Sequence, residues 1–135
     1  MNRTATEASV PSIRLTFPGD SFEVPYRGQE HYHFSLDVGA GFARAVLDPF
    51  SGYGVFNLLG KTHSIEEFIS TIQSQATALE IECPSIHFSP EAEPSPFIYE
   101  LNDEATRIAF PLMPRTSLDE GVRQSLIYFK GLSED

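Results

Sequence analysis

The firmest constraint on this chain is local. Ser64 and Glu67 stand three residues apart, directly ahead of Ile65, Phe68, Ile69, Ile72, Ala76 and Leu79 at helical spacing. A serine followed at that distance by a glutamate forms a capping box. The hydroxyl accepts from the Glu67 backbone N–H, and the carboxylate can reach back to the Ser64 N–H. The six apolar residues behind it form one stripe that must face a core. Just upstream, Val55-Phe-Asn-Leu58 is a short apolar run between Gly54 and Gly60, which reads as a buried strand. Strand, glycine turn and capped helix are therefore expected between Tyr53 and Leu79. The same device recurs at Ser117 and Glu120, ahead of a stripe of Leu118, Val122, Leu126 and Phe129, with Gly131 placed as a C-cap.

The other elements are shorter. Residues 10–17 fit either a strand (Ile13, Leu15, Phe17) or a helix (Val10, Ile13, Phe17). Phe22-Glu-Val24 reads as a strand stopped by Pro25, and Arg27-Gly28-Gln29 as a turn. His31 to Leu36 alternates, with Tyr32, Phe34 and Leu36 on one face and His31, His33 and Ser35 on the other. Asp37 is placed to cap a helix over Val38–Leu47 that ends before Pro49. Ile81–Cys83, Ser85–Phe88 and Phe97–Leu101 read as short strands, Ser89–Pro96 as an extended surface loop, and Asn102 or Asp103 as the cap of a helix reaching about Phe110. The expected fold class is α+β: a small domain of short strands with three to four helices. Residues 1–9 are polar and expected to be disordered, 10–132 form a single domain, and 133–135 form a tail.

Composition supports one folded unit. The chain has 135 residues, 41% hydrophobic and 12% aromatic, enough to build a core. No apolar run approaches the roughly 20 residues of a membrane span. The first residues lack the apolar stretch of a signal peptide, and Cys83 is the one cysteine, so a cytoplasmic setting is expected. A net charge of −10 repels nucleic acid and anionic lipid.

Candidate sites are few. His31 and His33 share a strand face at a spacing that can bind a metal, but no third ligand stands near them in sequence. The adjacent acids Glu66/Glu67, Asp103/Glu104 and Asp119/Glu120 all fall in first helical turns, where anions complement the helix dipole. Gly39-Ala-Gly41-Phe-Ala-Arg44 has the context of a dinucleotide loop, but Arg44 replaces its third glycine. The small residues there are instead expected to let the helix pack closely. Cys83 has no neighbouring base and reads as an inert thiol.

Three stretches, in order, resemble one family. They are Phe22-Glu-Val-Pro-Tyr-Arg-Gly28 with Phe34-Ser-Leu-Asp-Val38, then Val55-Phe-Asn-Leu-Leu-Gly60 with Ser64–Ile69, and then Pro114-Arg-Thr-Ser-Leu-Asp-Glu-Gly121-Val-Arg-Gln-Ser125. Together they are similar to the C-terminal part of the extended short-chain dehydrogenases/reductases, the NAD-dependent epimerase/dehydratase group. The resemblance implies a substrate-binding portion that closes over a separate Rossmann domain. It further implies a helix at residues 10–17 and a strand at Val55–Leu58 that would join the Rossmann sheet. NAD(P) would be bound by the full family enzyme, not by this chain alone. The family's catalytic tyrosine stands four residues before a lysine. Here Tyr26, Tyr32, Tyr53, Tyr99 and Tyr128 are followed at that distance by Glu30, Leu36, Asn57, Asp103 and Leu132. No catalytic residue is therefore assigned. Glu30 also replaces an arginine that sugar-nucleotide members use, so the implied ligand is a smaller sugar or polyol. By position in the pattern, Tyr26, Arg27, His31 and His33 would line its pocket. The implied partner is a Rossmann-type chain, or a second copy, covering the apolar side chains of Phe42, Val46, Val55 and Leu58. The other reading is a non-catalytic interaction module built on the same fold.

Overall fold

The computed structural model describes residues 21–133. Readings that concern residues 1–20, the helix-or-strand segment among them, lie outside the described residues. The elements run β1 (Ser21–Arg27), β2 (Gln29–Tyr32), α1 (Ser35–Leu47), β3 (Lys61–Ser64), α2 (Ile65–Ala78), β4 (Ser85–Pro94), α3 (Glu104–Ala109) and α4 (Leu118–Ser133). Among the described residues this is an α+β domain with four helices and two separate two-stranded sheets, β1–β4 parallel and β2–β3 antiparallel.

The core forms where the two capped helices meet. Ile72 and Ala76 of α2 pack with Val122 and Leu126 of α4, and Phe68, Leu79, Ile81, Cys83, Ile86 and Leu118 close around them. Both caps form: Ser64 Oγ accepts from Glu67 N–H at 3.0 Å, and Ser117 Oγ from Glu120 N–H at 3.3 Å. The reciprocal bond from the Glu67 side chain does not; its carboxylate turns to His63 Nδ1 at 2.8 Å. The far end of α2 closes without a glycine. Glu80 takes φ 55°, while the N–H groups of Glu80 and Ile81 donate to the carbonyls of Thr77 and Ala76. This is the two-bond Schellman closure, with glutamate at the position that usually holds glycine.

Several local expectations are corrected. Val55–Leu58 pairs with no strand among the described residues; the strand of this region is β3, one step further on. Side chains hold the segment instead. Phe56 packs edge-on to Phe50 and Phe110, Asn57 Nδ2 donates to the Asn102 carbonyl, and the Asn57 carbonyl accepts from Thr106 Oγ1. β2 ends at Tyr32, where its partner begins at Lys61, so Ser35 and Leu36 enter α1 and do not continue a strand. Phe34, not Asp37, occupies the N-cap position of α1, without a side-chain cap. Gly131 does not cap α4, which continues to Ser133. Neither Ile81–Cys83 nor Phe97–Leu101 is a strand.

The parallel pair shows why prolines misled the reading of its two strands. Val24 faces Phe88 and Tyr26 faces Glu93, so β1 advances two residues while β4 advances five. Pro25 lies inside that irregularity, where a missing N–H breaks no ladder bond. β4 carries its extra residues at Ser89–Ala92 and then re-pairs through Glu93 and Pro94, so the expected loop is part of a strand.

Gly28 (φ 114°) turns the chain from β1 into β2, as its place between Arg27 and Gln29 predicts. The β2–β3 register sets Glu30 opposite His63 and Tyr32 opposite Lys61 on one face, and His31 opposite Thr62 on the other. The first face looks toward the N-terminal halves of α2 and α4.

Candidate functional site

The ribbon β2–β3, the first turns of α1 and α2, and α4 enclose a cavity of about 470 Å³. Aromatic residues contribute from four places, Tyr32 and Phe34 from the ribbon and its exit, Phe68 from α2 and Phe129 from α4, beside Leu118 and Val122 of α4. Tyr32 and Phe68 stack with centroids 4.6 Å apart and planes at 18°. Phe34 sits against α4 at Gly121, where an added Cβ would lie 3.2 Å from its ring. Ser35, Thr116, Ser117 and Ser125 add polar residues to the lining, as do Glu30, Lys61 and His63; His31 and His33 border it.

The fixed polar groups are oriented from behind. Glu30 Oε1 accepts from Ser95 Oγ at 2.9 Å. His63 is buried, and its Nδ1 donates to Glu67 Oε1 at 2.8 Å. Burial, and then the carboxylates of Glu30, Glu66 and Glu67, push the Tyr32 hydroxyl well above its ordinary value, so it stays a neutral donor.

A second polar cluster lies behind the ribbon. His33 Nδ1 donates to the Leu59 carbonyl at 3.0 Å. Thr62 Oγ1 donates its proton to the Tyr99 carbonyl, so His31 Nδ1 must donate to Thr62 Oγ1, at 3.2 Å. His31 Nε2 is then a buried acceptor without a partner. Burial lowers the His31 pKa below 6.5, and neighbouring His33 lowers it further. Buried Asp103 holds Arg107 at 2.9 Å, with Arg115 at 3.7 Å from its other oxygen, and Arg115 donates to the Gly60 carbonyl at 2.6 Å. Gly60 is required here, because a Cβ would lie 2.5 Å from the Tyr32 carbonyl and 2.8 Å from each histidine ring.

Of the four residues expected at the pocket, His31 and His33 line the cavity, their rings 4.9 Å apart. Tyr26 and Arg27 do not. Tyr26 lies on β1 opposite Glu93, and the Arg27 guanidinium sits 4.3 Å over the Phe88 ring. The missed residues are Lys61, His63, Phe68 and Phe129. His63 was legible in principle, since it stands four residues before Glu67 at the mouth of the capping box. Among the described residues no group of three or more histidines, cysteines or acids could hold a metal ion, and His87 pairs with Glu23 at 3.7 Å. A Cβ added at Gly41 would meet the Met113 side chain at 3.4 Å, an ordinary contact, and one at Gly39 would meet nothing within 4 Å, so α1 does not need its glycines for close packing. Burial raises the Cys83 thiol pKa, which keeps it protonated and slow to react.

The apolar residues expected to meet a partner are largely bare. Phe42 is 66% exposed, Val46 83% and Val55 81%, and Leu36, Leu47 and Tyr53 are exposed beside them in sequence; only Leu58 is half-buried. No helix is long and apolar enough to cross a membrane among the described residues. Comparison with protein-family models, with curated proteins and with solved structures finds no match in any of the three.

Proposed function

We propose that this chain is the ligand-binding portion of a two-body oxidoreductase of the epimerase/dehydratase type. It would close over a small organic substrate when docked on a separate dinucleotide-binding chain. The cavity supplies the substrate walls, and NAD(P) would belong to the partner. The observation that carries this reading is the bare outer side of α1, with Phe42 and Val46 in water and Val55 exposed after it. Phe42 and Val46 stand at i, i+4 on one helix face, and apolar side chains exposed together mark interaction surfaces. The two-stranded parallel sheet β1–β4 agrees with it, since parallel strands are normally found inside larger, covered sheets.

A non-catalytic binding module on the same fold is the second reading. It is favoured by the sequence itself, in which no tyrosine precedes a lysine by four residues.

Light scattering on the purified chain, alone and mixed with a Rossmann-type chain encoded beside it, tests the docking. A stable complex or a self-associated species is expected, lost in Phe42→Lys/Val46→Lys. A monomer at high concentration that binds no such chain overturns the proposal. A complex that oxidises no alcohol with NAD leaves the second reading in its place.

A further inference from the structure

We propose that the cavity between the β2–β3 ribbon and α4 binds a small organic cation carrying an alkylated ammonium group. The inference deepens the reading of this cavity as the ligand site and does not require the docked partner.

The walls come first. Tyr32 and Phe68 form a stacked pair whose relative position is fixed, and Phe34 is seated by Gly121. With Phe129 they surround a space whose volume, about 470 Å³, suits a small molecule. Aromatic faces attract alkylated ammonium groups through the ring quadrupole, and more strongly in a site shielded from water.

Charge then decides the sign. The residues with ionisable side chains on the ribbon face toward the cavity are Glu30, Lys61 and His63, beside Tyr32; His31 and His33 border it, but their rings turn to the cluster behind the ribbon. Glu30 is half-buried and held in place by Ser95. Lys61 is exposed on a flexible stem, and no carboxylate among the described residues lies within ion-pair distance of it. Its ammonium can therefore turn to water, while the carboxylate stays. The first turns of α1 and α4 also reach the cavity through Ser35 and Ser117, and a helix start favours anions. Each start already carries its own acids, however: Asp37 in α1, and Asp119 and Glu120 in α4. Glu66 and Glu67 do the same for α2 behind Tyr32. Glu30 is thus the one lining carboxylate, held in place by Ser95 beside the aromatic side chains, in a chain of net charge −10. A carboxylate or phosphate ligand would be repelled, and an ammonium drawn in.

The test is an NMR titration of the full chain at low salt with choline, its neutral carbon isostere dimethylbutanol, benzoate and sorbitol. Choline is expected to shift the Tyr32, Phe68 and Gly121 signals saturably, with the isostere about tenfold weaker. Glu30→Gln should weaken choline about fivefold, and raising the salt should weaken it further. Phe68→Leu, checked for an unchanged melting curve, should weaken it as well. Equal binding of the isostere, saturation by benzoate or sorbitol in place of choline, or no saturable shift with any of the four overturns the inference. A monomer that docks on nothing yet binds choline removes the two-body reading and keeps this one. A chain that docks but ignores choline does the reverse.

Discussion

Asp37 and Thr116, 79 residues apart, are joined by two hydrogen bonds: the carboxylate accepts from the Thr116 backbone N–H and from its hydroxyl, the latter at 2.9 Å. The tie fixes the first turn of α1 against the segment that enters α4, and so holds two walls of the cavity together. Removing the carboxylate strands the Thr116 N–H. Asp37→Ala should cost about 1.5–3 kcal/mol in urea unfolding, the range for bonds to a charged group, and Thr116→Val about 1 kcal/mol. An Asp37→Ala loss below about 0.5 kcal/mol would show that water replaces the tie without penalty.

Glu80 offers the opposite sign. Its left-handed backbone, φ 55°, costs an L-residue about 1–2 kcal/mol that glycine avoids, and its side chain is exposed. Glu80→Gly should therefore stabilise the fold by about 1 kcal/mol, net of the extra freedom glycine gives the unfolded chain. That is a rise of roughly 4 °C in melting temperature for a chain of this size. A lower melting temperature would mean that Glu80 contributes an interaction that the backbone strain conceals.

The α2–α4 core separates buried from exposed positions on one helix. Leu126 is buried in the cluster with Ile72, Ala76 and Val122, while its neighbour Ile127 is 44% exposed. Leu126→Ala should cost about 2–4 kcal/mol and Ile127→Ala a fraction of that. Equal losses in a denaturation series would place the helix face wrongly.

His31 gives a pH dependence. Its folded pKa is lowered from 6.5, first by burial and then by His33, against an opposing pull from Asp103. A base whose folded pKa lies below its unfolded value binds more protons when unfolded across the interval between the two. Stability therefore rises with pH through that interval and is lost as pH falls from 6.5 toward the folded pKa. His31→Gln should flatten that part of the profile, and the His31 ring should titrate below 6.5 by NMR. A midpoint above 6.5 would mean that Asp103 outweighs burial.

What could be read from the chain alone was whatever depends on residues close in sequence. The boxes at Ser64/Glu67 and Ser117/Glu120 set two helix starts, and the stripes behind them set the core, because a cap and a helical face are decided within one or two turns. The alternation around His31 and His33 likewise put both rings on one side. Tertiary structure decided the rest. Val55–Leu58 has strand-like residues but finds no neighbouring strand, so its groups bond to Asn102 and Thr106 instead. Pro25 looked like a stop until a partner strand with extra residues absorbed it. Most of the cavity lay beyond sequence reasoning. Tyr32, His63, Phe68 and Phe129 come from four elements, and their meeting depends on ribbon register and on how α4 lies over α2. Register and packing are long-range quantities, fixed by burial of the whole domain, and no local pattern encodes them.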